Sequence, residues 1–171
     1  MAKLYGLGNY ILSELMTKLI MDKDFNKLVY YKYEDDIFSQ PDLDNPFVQL
    51  KDQIFKNRRP VKILTEEDVC IFAHLDDIRN YEAKSKKIKT VWIDISFLVH
   101  NNLSQTNHGL REIALISAIE KVVERGVFQS SLGAVEVERI RALNGVPYEW
   151  NGYSVTIKCD GFTEPYVEYE V

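Results

Sequence analysis

The 171 residues make up about one domain's length, and a composition of 46% hydrophobic and 27% charged residues excludes global disorder. A net charge of −5 argues against a protein whose main work is gripping phosphates, because such domains carry excess Lys and Arg. It leaves room for a channel through which nucleic acid slides without being held.

Residues 10–21 predict a first helix. Leu12, Leu15, Met16, Leu19 and Ile20 recur at helical spacing, Asn9 is placed to cap the start, and Glu14 and Lys18 stand four apart on the polar side. The segment 25–33 reads as a short helix or a strand, and its ending LVYYKY, with β-favouring residues, favours a strand at that end. Residues 35–46, with Asp35, Asp36, Asp42, Asp44, Asn45, Pro41 and Pro46, read as a long loop of the kind that a partner orders. Asn45-Pro46 resembles a helix start, followed by a short apolar stripe of Phe47, Leu50, Ile54 and Phe55 and by a basic cluster around Arg58 and Arg59. Two strands are expected at 61–64 and 69–75, joined by the acidic turn 65–68. A solvated, Lys-rich connection is expected over 76–89.

The stretch 90–125 organises the chain. Val91, Ile93, Ile95, Phe97 and Val99 alternate with Trp92, Asp94, Ser96, Leu98 and His100, which predicts a strand with one buried face and one partly buried face. Behind it a helix is expected to start at Thr106 or Asn107 and to end at Arg125, with Gly126 as its C′ residue. Between Ile113 and Ile119 only Ser117 is polar, so this helix is expected to be covered on every side, by the strand and by further packing from this chain or from a second copy. After a linker at 128–133, residues 135–142 alternate with a slipped phase, as at a bulge or an edge strand. Asn144-Gly145 predicts a turn, and Asn151-Gly152 predicts a hairpin between strands at 146–150 and 153–159. The ending EPYVEYEV reads as one more strand or a tail. The pattern gives an α+β fold, a mainly antiparallel mixed sheet packed by two principal helices. It forms a single domain over 1–171, with a loop-rich insertion near 35–60.

Chemical motifs are absent: there is no Gly-rich phosphate loop, Cys-x-x-Cys, His-Glu-x-x-His or Gly-x-Ser-x-Gly. Cys70 and Cys159 lie in strand patterns, as reduced, buried thiols do, and not at a helix N-terminus where a thiolate is stabilised. His74 lies two residues from Asp76 and three from Asp77, a carboxylate–imidazole pairing to which the sequence supplies no third ligand. His100 and His108 bracket the loop before the long helix. The sequence therefore predicts no catalysis, no cofactor and no structural metal. Ten Tyr, eight Phe and two Trp exceed what one small core readily hides, so Trp92, on the strand's second face, and Trp150, beside a turn, are interface candidates. Ile116, Arg58, Arg59, Asp42 and Asp44 complete the expected interface set. No apolar run reaches the roughly 18 residues of a membrane helix, and MAKLYGLGNYILSEL lacks the order of a signal peptide, so no membrane contact and a cytosolic chain are expected.

The layout of WIDISFLVHNNLSQTNHGLREIALISAIEKVVERG with the terminal hairpin region, about half of the chain, resembles the tail terminator (tail completion) proteins of long-tailed bacteriophages. The shared features are an N-terminal helix, small strands, a strand ending in VH, a Thr-Asn-x-Gly-Leu-Arg helix start and closing hairpins. The loop 35–46 has no counterpart in that layout. The resemblance implies a virion protein of the tail or neck, present in the host cytoplasm during assembly. It would form a hexameric ring capping the tail tube, facing head–tail connector proteins and in contractile tails the sheath, with DNA passing through without tight binding. The alternatives are another neck component, or a small intracellular enzyme or ligand-binding domain without a recognisable motif.

Overall fold

The computed structural model describes residues 4–34, 36–56, 66–80, 88–129 and 133–163. Their elements run α1 (Leu4–Met21), α2 (Lys23–Tyr30), α3 (Pro46–Gln49), β1 (Ile54–Phe55), β2 (Val69–Asn80), β3 (Ile88–His100), α4 (Asn101–Ser104), β4 (Gln105–Thr106), β5 (Gly109–Leu110), α5 (Arg111–Arg125), β6 (Val135–Ala142) and β7 (Trp150–Thr163). Five strands form one sheet in the order β1-β2-β3-β7-β6, in which only the β1–β2 pair is parallel; β4 and β5 pair separately. This is the expected α+β fold with a mixed, mostly antiparallel sheet.

The core lies between one face of the sheet and the helices α1, α2 and α5. Val91, Ile93, Ile95, Phe97 and Val99 are wholly buried, as their alternation demands, beside Val69, Ile71 and Ala73 of β2 and Val155, Ile157 and Cys159 of β7. From the helices come Ile11, Leu15, Met16 and Leu19, then Phe25 and Leu28, then Leu115, Ile119 and Val123. Cys70 and Cys159 are buried free thiols.

Several expectations change. The first helix begins at Leu4, so Asn9 lies inside it and does not cap it. Of the two alternatives for 25–33 the short helix is found, over residues 23–30, and the strand favoured at its end is not. Asp22 Oδ1 accepts from Phe25 N at 3.0 Å, and Phe25, Leu28 and Val29 bury one face, so capping and packing override the β preference of the sequence. Asn45 caps α3 as expected, but that helix stops after Gln49, and Ile54 and Phe55 form a strand. The connection expected over 76–89 is largely strand, because β2 runs on to Asn80 and β3 starts at Ile88. The basic residues Arg58 and Arg59, the strand expected at 61–64 and the EPYVEYEV ending lie outside the described residues.

Around the long helix the differences are sharper. Thr106 and Asn107 belong to a small β4–β5 turn, and α5 starts at Arg111 with no side-chain cap. The start is held instead by Arg111 itself, which is 1% exposed. Its guanidinium donates to Leu103 O, Leu28 O, Tyr31 O and Lys32 O at 2.7–2.8 Å, clamping the end of α2 and the end of α4 onto α5. Burial lowers its pKa to about 10, with Glu112 acting in the opposite direction. Gly126 closes the helix with φ −71°, not a left-handed turn; a Cβ there would lie 2.6 Å from Val122 O. Within this chain the helix is also not covered all round by the described residues, which leaves a second copy as the other expected cover. Ile116 is 8% exposed and sits in the core, but Ile113 is 51% exposed and Ser117 is exposed with it.

Asn151-Gly152 is not a turn. Both residues lie within the single strand β7, and the chain reverses earlier, over 143–149, with Gly145 at φ +73°. The slip expected in 135–142 is present as a register shift between Val137 and Arg139 on the edge strand β6.

Candidate functional site on the open sheet face

The second face of the sheet carries no helix from the described core, and its character changes along the strands. At one end Cys70, Phe72, Leu98 and Trp150 form a small apolar cluster with Phe55, Leu143 and Val146 against them. Phe55 and Phe72 stack at 5.6 Å between centroids, and His100 meets Trp150 edge-on at 5.3 Å. At the other end Trp92 donates from Nε1 to Glu138 Oε2 at 2.9 Å while the Arg79 guanidinium lies 5.1 Å from the centroid of its ring. Arg79 is itself oriented by Asp77 at 2.6 Å.

Between these ends runs a polar band. The register aligns His74 with Asp94 and Asp94 with Thr156, and the next rung aligns Ser96 with Ser154 and Ser154 with Arg141. Asp94 is only 2% exposed. A carboxylate this buried needs hydrogen bonds and a counter-charge. Thr156 Oγ1 donates to Asp94 Oδ1 at 2.6 Å, and Arg141 donates an N–H to Asp94 Oδ2 at 3.3 Å. Ser96 and Ser154 hydrogen-bond to each other at 3.1 Å. An irregularity between Leu75 and Asp77 leaves Asp76 as the extra residue of β2. Such a bulge re-aims side chains. Here His74, Asp76 and Asp94 each bring one ligand atom to within 4.8 Å of the others. The chemistry available is that of one imidazole and two carboxylates with a cationic guanidinium alongside.

Sequence reasoning singled out His74 and Asp76 but missed Asp94, Thr156 and Arg141. The signal for Asp94 was a lone carboxylate in the middle of an otherwise apolar and hydroxyl-bearing strand, a position that strands disfavour. Which strand would bring it a partner is a matter of register, and no local pattern reveals that.

The expected interface residues are not gathered in one place. Trp150 and Ile116 are buried within this chain, in the apolar cluster of the open face and in the main core respectively. Trp92 is half-buried on the open face. Asp42 lies on the helical side, where Lys23 and Lys27 hold it and lower its pKa; the Lys27 contact is 3.1 Å. Asp44 is exposed in the same loop. His100 and His108 have separate surroundings, since His108 Nε2 is 3.0 Å from Asp36 Oδ1 whereas His100 packs on Trp150. Burial pushes the Cys159 thiol up to about 12, with Asp160 and Glu14 adding to the effect, so it is no nucleophile at neutral pH. No helix among the described residues is long and apolar enough to cross a membrane.

No curated protein matches the chain. A family model does, under the description YomW, over residues 22–159. That span takes in α2 through nearly all of β7, and with it the whole polar band, so the chain belongs to YomW, a phage-associated family.

Proposed function

We propose that this chain is a structural virion protein, a tail terminator that closes into a homo-oligomeric ring on a finished tail tube and joins it to the head connector. Membership of a phage-associated family supports a virion role. The observation that carries the ring is Ile113. It opens the apolar stretch Ile113–Ile119 of the long helix yet is half exposed, with Leu110 equally exposed one residue before α5 begins. A second copy is the natural cover for such a surface in a soluble assembly, and a head-to-tail contact that closes makes a ring. The hexamer number comes from the resemblance alone, as do the tail tube, head–tail connector and tail sheath as partners. DNA passes through without tight binding, because a chain of net charge −5 releases few counterions on contact. The same reading assigns the chain no catalytic role and places it in the tail or neck of the virion, after assembly in the host cytoplasm.

The second reading, a small ligand-binding domain or enzyme, has the His74–Asp76–Asp94 cluster in its favour. One substitution separates the two. Ile113→Asp changes a half-exposed side chain, so the isolated chain is expected to fold with an unchanged circular dichroism spectrum and melting curve. Electron microscopy of particles carrying it is expected to show tails lacking the terminal ring. Particles in which the variant assembles normally, or in which the wild-type chain is monomeric or absent, would overturn the ring.

A further inference from the structure

We propose that His74, Asp76 and Asp94 form a site for one divalent transition-metal ion on the open face of the sheet. The sequence expectation of no metal rested on the want of a third ligand beside His74 and Asp76, and the fold supplies it. Asp94 is the direct cross-strand partner of His74, and the bulge in β2 presents Asp76 to the same spot. The three donor atoms lie within 4.8 Å of one another. An ion with bonds of about 2.0–2.2 Å holds its donors roughly 3.4 Å apart. The remaining closure falls to Asp76, which is exposed, while Asp94 is buried in the sheet.

The surroundings of Asp94 are those of an oriented ligand. Thr156 holds one carboxylate oxygen at 2.6 Å, and ligating carboxylates are characteristically tied down by outer hydrogen bonds of this sort. The donor set decides the class of ion. One imidazole nitrogen with two carboxylates suits zinc, cobalt or manganese, whereas a hard ion such as magnesium gains little from the nitrogen. Solvent access through Asp76 leaves coordination positions for water. Arg141 is the internal competitor. Its guanidinium, 3.3 Å from Asp94, neutralises the same carboxylate that the ion would use. It is half exposed and on the edge strand β6, so it can swing away at small cost.

The test uses the untagged full chain, stripped with chelator and titrated with Zn²⁺, Co²⁺ and Mg²⁺ by calorimetry, with the visible spectrum read for Co²⁺. The expected result is one Zn²⁺ or Co²⁺ per chain and a rise in melting temperature with bound ion. Asp76→Asn, at an exposed position, should fold as wild type and bind at least tenfold more weakly. His74→Gln should do the same and abolish the nitrogen-ligand cobalt spectrum. Arg141→Gln should bind several-fold more tightly, because it frees Asp94. No saturable binding at millimolar Zn²⁺, or binding that Asp76→Asn leaves unchanged, would overturn the site. Equal affinity for Mg²⁺ would overturn the role of the imidazole. None of these outcomes depends on whether the chain forms a ring.

Discussion

The two faces of β3 are made from one run of residues and stabilise the protein in different ways. On the helical side Val91, Ile93, Ile95, Phe97 and Val99 are wholly buried under three helices. That stabilisation is non-directional and follows the apolar area removed from water. On the open side Trp92, Asp94 and Ser96 meet side chains from neighbouring strands while Leu98 joins the apolar cluster, and the polar positions depend on specific pairs: Trp92 with Glu138 and Arg79, Asp94 with Thr156 and Arg141. The first face tolerates any apolar residue of suitable size, and the second requires the right chemical partner at the right rung. The difference picks out the candidate site. Packing explains the helical face completely, whereas a buried carboxylate between an imidazole and a guanidinium is more than packing requires.

The largest expected effect tests the helical face. Ile116→Asp places a carboxylate in the main core with no counter-charge designed for it, which costs several kcal/mol and is expected to leave the chain unfolded or aggregated. Its contrast with Ile113→Asp, three residues earlier on the same helix, sharpens the comparison, since one side chain is 8% and the other 51% exposed. A folded Ile116→Asp variant, read by circular dichroism and chemical denaturation, would mean that the helical layer is looser than its burial indicates.

Next is Arg111, where a polar network of the open-face kind sits inside the helical layer. Arg111→Met removes a guanidinium that donates to four main-chain carbonyls, two of them in buried and two in part-buried hydrogen bonds, and leaves the buried pair without that donor. The depressed pKa shows that burial disfavours the charged group, so its removal also relieves a desolvation cost. The unsatisfied acceptors outweigh that relief, and a net loss of about 3 kcal/mol is expected in urea denaturation. A variant as stable as wild type would show that α2, α4 and α5 are joined by apolar contacts alone.

What the sequence revealed follows the same division. Period-two alternation in 91–99 and helical spacing in 12–20 are consequences of burial against a continuous apolar partner, and both are found. Elements held by particular partners were not legible. The helix at Lys23–Tyr30 needs the Asp22 cap and the packing of Phe25 and Leu28 to defeat its β-favouring ending. The start of α5 needs carbonyls from residues some eighty positions away along the chain. The trio His74, Asp76 and Asp94 depends on a register and a bulge. Asn144-Gly145 is the turn it was expected to be, but Asn151-Gly152 misled for a related reason: glycine marks either a turn or a close approach, and sequence does not distinguish them.

Gly152 gives the smallest expected effect and the finest test. It lies in extended β7 opposite Leu98, and a Cβ there would come 2.6 Å from Leu98 Cδ2, 3.1 Å from Leu143 Cδ1 and 3.2 Å from Val146 Cγ1. All three are ends of flexible side chains in or against the apolar cluster of the open face. Overpacking of this kind costs about 1–3 kcal/mol, and the lower entropy of the unfolded chain returns about 0.4–1 kcal/mol. Gly152→Ala is therefore expected to destabilise by about 1 kcal/mol. If the cause is steric, adding Leu98→Ala makes room for the new methyl group, and the double variant is more stable than the two single effects summed would give. If the glycine were needed for a turn, as Asn151-Gly152 reads in sequence, the strain would be in the backbone and shortening Leu98 would relieve nothing. A strictly additive double variant in urea denaturation would thus restore the hairpin reading. Coupling would instead place Gly152 inside a continuous strand whose open face is packed as closely at this end as the helical face is throughout.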